Sequence, residues 1–252
     1  ESSLNVGRFI PSYFSVTVDN GSLEAFCKIG SEPDFSYIGQ PISYLPLSEP
    51  SITIQAHNSV NDITNNYTEG SFLKLPTGDA YINRSFPTKD SLKDGLDSLT
   101  KMTVASSTPF IPSSFSSATN GSMVYSFLDT DSFVYTRDSN SLVAPFDSIL
   151  NIEINYIRDS DGVEANAQPY NVNPSAIELR YGRWAMDGAF GPEIQNLAIP
   201  MKIESWNGSS FNENISDNCS TYFASDMLVT PSLTGGTTTL TGNGTLIFGE
   251  AP

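Results

Sequence analysis

An all-β protein built from antiparallel β-sandwiches, with at most one short helix, is what this sequence predicts, and three observations carry that expectation. Only 16% of its 252 residues are charged, so Ser, Thr and Asn supply much of the polar surface. Those residues suit strand faces and turns better than helix interiors, where their side chains compete for the backbone. Short runs of alternating apolar and polar residues recur along the chain, separated by Gly, Pro, Asn or Asp. Finally, no apolar run approaches the ~18 residues of a membrane helix.

The first β region can be read in order. In RFIPSYFSVTV (8–18), Phe14, Val16 and Val18 alternate with Ser15 and Thr17, the period of a half-buried strand. Asn20-Gly21 tolerates positive φ and turns the chain, so Leu23 to Cys27 reads as the returning strand. FSYIGQPISYLPL (35–47) is aromatic but interrupted by Gly39, Pro41 and Pro46, which fits short edge strands. SITIQAHN (51–58) sets Ile52, Ile54 and Ala56 on one face. Turn, strand, turn and strand follow through VNDITNNYTEGSFLKL (60–75), where Tyr67 reads as a core or corner aromatic.

One stretch has a helical period. In TKDSLKDGLDSLTKM (88–102), Leu92, Leu96 and Leu99 recur at i, i+4 and i+7, and Thr88 or Asp90 can cap the start. Gly95 within it costs about 1 kcal/mol relative to Ala. A Ser/Pro-rich connection (106–121) leads to a second β region, where Met123, Tyr125 and Phe127 alternate and Phe133 and Tyr135 follow. LNIEINYIRD (150–159) is the clearest strand, with Leu150, Ile152, Ile154 and Tyr156 on one face. IELRYG (177–182), LAIPMKIESW (197–206), TYFAS (221–225) and TLIFG (245–249) complete a series typical of a sandwich or barrel.

The net charge of −16 repels nucleic acid and anionic lipid surfaces. It favours calcium where carboxylates converge, and calcium is the one cofactor the sequence suggests. The best place is Asp159-Ser160-Asp161-Gly162, with Glu164 just beyond, because calcium takes hard oxygen ligands from a tight loop. Val163 stands where an EF-hand loop continues its ligands, so only the first half of that loop matches, and an ion-free β-turn fits the same residues. Asp129 and Asp131 form a weaker pair.

Cys27 and Cys219 belong to no CxxC pair, which leaves zinc ribbons and thioredoxin chemistry unsupported. In an exported chain they read as one long-range disulfide or as two buried thiols. The disulfide would add about 4–5 kcal/mol in the chain-entropy account. His57 is the sole histidine, too few for a multi-His zinc site, and no GxSxG elbow pairs it with a serine. Neither phosphate-binding glycine motif occurs. Acidic residues are numerous, but nothing singles out a pair for glycoside hydrolysis. No catalytic residue is therefore expected. Trp184, Trp206, Tyr181 and Tyr222 read either as core aromatics or as a sugar-contacting platform. Asn-x-Ser/Thr sequons at Asn20, Asn66, Asn83, Asn120, Asn207, Asn214, Asn218 and Asn243 arise readily by chance in so Asn-, Ser- and Thr-rich a chain. The start, ESSLNVGRF, has no initiator Met and no charged-then-apolar leader, and reads as a piece of a longer precursor.

Two resemblances add to this reading. ITIQAHN followed by TNNYTEG is similar to the strand pair of bacterial immunoglobulin-like surface modules, in which a turn precedes an Asn-x-Tyr-x-Gly segment. The block ELRYGRWAMDGAFGPEIQNLAIPMKIESWNG, with NENISDNCST after it, resembles the C-terminal domain of MshQ-type proteins, encoded with mannose-sensitive haemagglutinin (MSHA) type IV pili. Arg180, Tyr181, Gly182, Arg183, Phe190, Gly191, Glu193, Leu197, Pro200, Trp206, Gly208, Asp217 and Cys219 stand at that family's places. GRFIPSYF (7–14), FSYIGQP (35–41), FVYTRDSNSLVAPFD (133–147) and DSDGV (159–163) come in its order, so the resemblance covers nearly the whole chain. Ser220 departs from the Thr more often found after the cysteine, and further strands are expected beyond the final GEAP.

These readings divide the chain into an immunoglobulin-like module (1–86), a connection (87–120) and a second β-sandwich (121–252). The MshQ resemblance implies a non-catalytic, secreted, pilus-associated or adhesin-like component at the bacterial outer membrane or pilus. It would act in MSHA pilus biogenesis or adhesion through pilus proteins or surface glycans, without inserting in the membrane. A carbohydrate-active hydrolase on a β scaffold and a purely structural stalk module are the rivals.

Overall fold

The computed structural model describes residues 10–28, 34–68, 72–75, 121–127, 131–135, 137–140, 142–192, 195–227, 240–247 and 249–251, and as backbone 82–84, 88–89, 102–104 and 115–118. These residues form small, mostly antiparallel sheets with short 3-10 turns at Asn65–Thr68 and Ala224–Asp226. Among them no helix is long and apolar enough to cross a membrane.

The first sheet runs β1 (Tyr13–Asp19), β5 (Ser51–His57), β10 (Ser122–Ser126) and β9 (Phe115–Ala118). Its register sets Phe14 against Ala56, Val16 against Ile54, and Ile54 against Met123. Because side chains alternate across a strand, this register places Phe14, Ile52, Ile54, Met123 and Tyr125 on one buried face. Gly21 makes the turn after β1 at φ +60°, and a Cβ there would run into the Ser48 carbonyl.

The second sheet runs β2 (Leu23–Glu24), β4 (Pro41–Tyr44), β11 (Ser132–Tyr135) and β8 (Met102–Val104). Its inward residues Leu23, Ile42, Tyr44, Phe133 and Tyr135 share one hydrophobic cluster with the inward face of the first sheet. Tyr44 meets Phe127 and Phe133 edge-on, with ring centroids 6.1 and 5.6 Å apart, the geometry that aromatic quadrupoles favour. The same core extends through β13 (Leu150–Ile157), whose Leu150, Ile152, Ile154 and Ile157 are fully buried. This strand pairs with β14 (Tyr170–Val172), β6 (Ile82–Arg84) and β7 (Thr88–Lys89). Each such buried aliphatic contributes about 1.5–3 kcal/mol.

Three elements position the site described below. β3 (Phe35–Tyr37) runs parallel to β15 (Glu178–Arg180), which also pairs with β12 (Phe146–Asp147). A three-stranded sheet follows, β16 (Gly182–Met186), β17 (Met201–Trp206) and β18 (Phe211–Glu213). A ribbon of β19 (Thr221–Phe223) and β20 (Asn243–Thr245) ends the series.

Some expectations meet a different structure. The helix predicted over 88–102 is strand at both ends, where Thr88–Lys89 pairs with β13 and Met102–Val104 pairs with β11. Residues 90–101 lie outside the described residues. At the two ends, ladder pairing with a neighbouring strand outweighs local helical preference. The strand expected over 197–206 begins at Met201, directly after Pro200, which has no N–H for the ladder. Sheets also cross the division expected at 86 and 121, since β10 pairs with β5 and β11 with β4.

Candidate functional site

Cys27 and Cys219, separated by 192 residues, are joined in a disulfide with Cα atoms 5.5 Å apart, within the span such a bridge requires. Cys27 is held by a two-way backbone exchange with Phe35, at 2.9 and 3.1 Å. Cys219 lies in a turn wrapped around Asp217, whose Oδ1 accepts the backbone N–H groups of Cys219 at 3.0 Å and Ser220 at 2.8 Å. The local sequence dictates this, because an aspartate readily accepts hydrogen bonds from amides two and three residues ahead.

Asp217 is fully buried. Its Oδ2 accepts hydrogen bonds from the Tyr37 hydroxyl at 2.7 Å and the Ser220 hydroxyl at 2.7 Å. Two amides and two hydroxyls thus compensate a carboxylate whose burial would otherwise be strongly unfavourable. Burial, and then the Asp217 charge, push the Tyr37 phenol far above its ordinary range, so it remains a hydrogen-bond donor. Asn214 donates to the Tyr37 oxygen at 2.5 Å, and Arg180 donates to the Asn214 carbonyl at 2.7 Å. The Arg180 guanidinium also pairs with Glu178 and lies 4.0 Å over the Phe35 ring. Cys27, Phe35, Tyr37, Ile203 and Leu246 form a small hydrophobic cluster of their own around this network.

Each residue of the Arg-Tyr-Gly-Arg motif has a place here. Arg180 enters the polar network just described. Tyr181 is buried, donates to the Asp138 carbonyl at 2.9 Å and carries the Arg137 guanidinium 4.6 Å over its ring. Gly182 lies against the Tyr37 ring, where a Cβ would overlap the aromatic carbons. Arg183 donates to Glu204 at 2.8 Å and caps the Phe211 ring at 3.7 Å.

Among the described residues, the His, Cys, Asp and Glu side chains that converge within 4.8 Å are Cys27, Asp217 and Cys219. Asp159, Asp161 and Glu164, read from the sequence as calcium ligands or as a turn, are not gathered in that way. Asp159 is buried and occupied by its own chain. Its Oδ1 accepts the amides of Asp161 and Val163, both at 2.9 Å, and its Oδ2 accepts the Tyr67 hydroxyl at 2.8 Å. Glu164 faces Arg158 at 3.9 Å, and Gly162 supplies the turn at φ +85°. Asp131 is buried, and Asp129 lies outside the described residues.

His57 closes β5, shares a 2.8 Å hydrogen bond with Ser15 and stacks on Tyr13 at 5.0 Å. It ties two strands together. Of the aromatics considered for ligand contact, Tyr181 is withdrawn into the core, and Trp206 packs on Phe211 at 5.2 Å. Trp184 is different. It is 41% exposed, stands edge-on to Tyr222 at 6.5 Å, and lines a groove of about 320 Å³ with Met186, Phe223 and Asp226. The reading by spacing missed Tyr37 and Asn214, whose partners lie far away in sequence. The Asp-x-Cys-Ser order was the one visible hint of the Asp217 turn.

The chain matches DUF6701, third domain, over residues 1–182 and DUF6701, fourth domain, over residues 180–248. No curated protein matches it, and no solved structure does. DUF6701 is associated with MshQ-type proteins of MSHA pili. The two matches overlap at Arg180, Tyr181 and Gly182, and the disulfide bridges them, since Cys27 falls in the first and Cys219 in the second; this place is the bridged joint. The chain belongs to the DUF6701 family, its third domain followed by its fourth.

Proposed function

We propose that this chain is a non-catalytic extracellular β module that serves MSHA-type pilus biogenesis or adhesion through contacts with pilus proteins or surface glycans. Family membership supplies the link to the pilus. The disulfide supports an extracellular, surface-associated location, because such bridges persist in oxidising compartments. The facing sheets with one shared core are in keeping with an immunoglobulin-like sandwich at the N-terminal end.

One observation carries the reading. The most distinctive block of the sequence runs through the bridged joint, where Arg180 reaches Asn214 and Gly182 lies against Tyr37. Trp184 and its groove are the surface we assign to contact, since an exposed, braced indole suits a sugar face or an apolar side chain. Sedimentation of purified MSHA pili with the purified chain tests this. The wild-type chain is expected in the pellet, and Trp184→Ala is expected to weaken retention about tenfold, the loss of one central aromatic contact. A wild-type chain that stays in the supernatant and binds no glycan on an array would sink the adhesive reading. That outcome would favour the stalk module, which the same bridged joint also suits.

A further inference from the structure

We propose that Asp217 is the built-in proton acceptor that closes the Cys27–Cys219 disulfide by exchange with an external disulfide of the glutathione type. Its Oδ1 lies 3.3 Å from Cys219 Sγ and 3.9 Å from Cys27 Sγ, so one oxygen reaches both reacting atoms. Both distances are within reach of a sulfur-to-carboxylate hydrogen bond once a sulfur carries a proton. Tyr37 and Ser220 hold the other oxygen, and two amides fix the turn, so the carboxylate is held against the sulfurs by groups other than the sulfurs themselves. Asp217 is shielded from bulk water, which makes a local base the direct route for a thiol proton.

Accessibility orders the two steps. Cys27 is fully buried and Cys219 partly buried, so the external disulfide meets Cys219 first. Phe26 and Ser220, the sequence neighbours of the two cysteines, line an open cleft of about 280 Å³ with Tyr37 and Thr221, and this cleft is the approach assigned to the external disulfide. Asp217 takes the Cys219 proton, and the thiolate attacks one sulfur of RS–SR. A mixed disulfide forms, and RS⁻ leaves as RSH with that proton. Asp217 then takes the Cys27 proton, and the Cys27 thiolate attacks the Cys219 sulfur. The Cys27–Cys219 bond forms as the second RS⁻ leaves and is protonated. Two protein thiols and RSSR become one protein disulfide and two RSH.

The test reduces the folded chain with dithiothreitol, removes the reductant, and follows thiol loss in oxidised glutathione at neutral pH by alkylation and mass. Asp217→Asn keeps the side-chain size and an acceptor for the amides, and is expected to slow closure by about tenfold or more. Loss of the charge alone predicts the opposite, because removing a carboxylate from beside a thiol favours the thiolate. An equal or faster rate in Asp217→Asn therefore overturns the proposal. Ser220→Ala keeps the carboxylate but removes one donor from Oδ2, leaving a stronger base, and is expected to speed closure about threefold. An unchanged or slower rate in that variant overturns the proposal even where Asp217→Asn fails to fold.

Discussion

Asp159 and Asp217 hold matching positions in two regions of this molecule. Each is buried, each accepts two backbone amides from the turn that follows it, and each accepts a tyrosine hydroxyl from a distant segment, Tyr67 or Tyr37. The surroundings differ. Asp159 borders a core to which both large sheets and β13 contribute, rich in Ile, Tyr and Phe. Around Asp217 the described cluster has five buried residues, of which only Ile203 and Leu246 come from beyond the joint. The comparison teaches that a tyrosine–aspartate tie suffices as a local fastener where the hydrophobic core is large. Where the core is small, the tie comes with a disulfide and a guanidinium network.

The largest expected effect follows from that difference. Replacing Cys27 and Cys219 together by Ser should cost about 4–5 kcal/mol, read by chemical denaturation. The loss should fall first on residues 201–247, and equal loss in both regions would break the comparison. Next come the two aspartates. Asp217→Ala and Asp159→Ala each strand a tyrosine hydroxyl and two amides, at a cost of about 3 kcal/mol. Asp159→Ala should lower the melting temperature of the whole chain. Asp217→Ala should expose the second region to protease while the first stays intact.

The tyrosines supply a pH arm of smaller size. Both phenols are raised well above 10.0, by burial first. Raised folded values leave stability intact below pH 10. Above it the unfolded chain sheds these protons first, and stability falls by at most about 1.4 kcal/mol per pH unit for each tyrosine. Melting curves from pH 9 to 11 should show that decline, and Tyr37→Phe or Tyr67→Phe should each remove part of the slope. The smallest effect concerns calcium. Because its own chain occupies the Asp159 carboxylate, melting in calcium and in excess EDTA should coincide. A calcium-dependent rise of several degrees would restore the ion-loop reading of Asp159, Asp161 and Glu164.

Much of the first region was legible in the sequence. Alternation in SITIQAHN and in Leu150 to Ile154 reports burial directly, and Asn20-Gly21 names its own turn. Tyr156, expected on the same face, is exposed and Ile157 is buried instead, because the ladder to β6 shifts register after Ile154. The helical period over 88–102 gave way at its ends, where Thr88–Lys89 and Met102–Val104 pair as strands, while its three leucines lie outside the described residues. The joint was least legible. Tyr37 and Asp217 lie 180 residues apart and Arg180 and Asn214 lie 34 apart, so no local pattern announces their contacts. The Arg-Tyr-Gly-Arg motif was visible as a resemblance, yet its meaning depends on Tyr37 lying across Gly182.

The central claim is that the bridged joint holds the second region, while the first stands on its own core. Native-state hydrogen exchange on the chain, before and after reduction with dithiothreitol, tests it most directly. The account predicts that amides of Ile203, Ser220 and Leu246 lose protection by at least about tenfold on reduction while those of Ile54 and Ile154 keep theirs. Uniform loss along the chain, or no loss at Ile203 and Leu246, would contradict it.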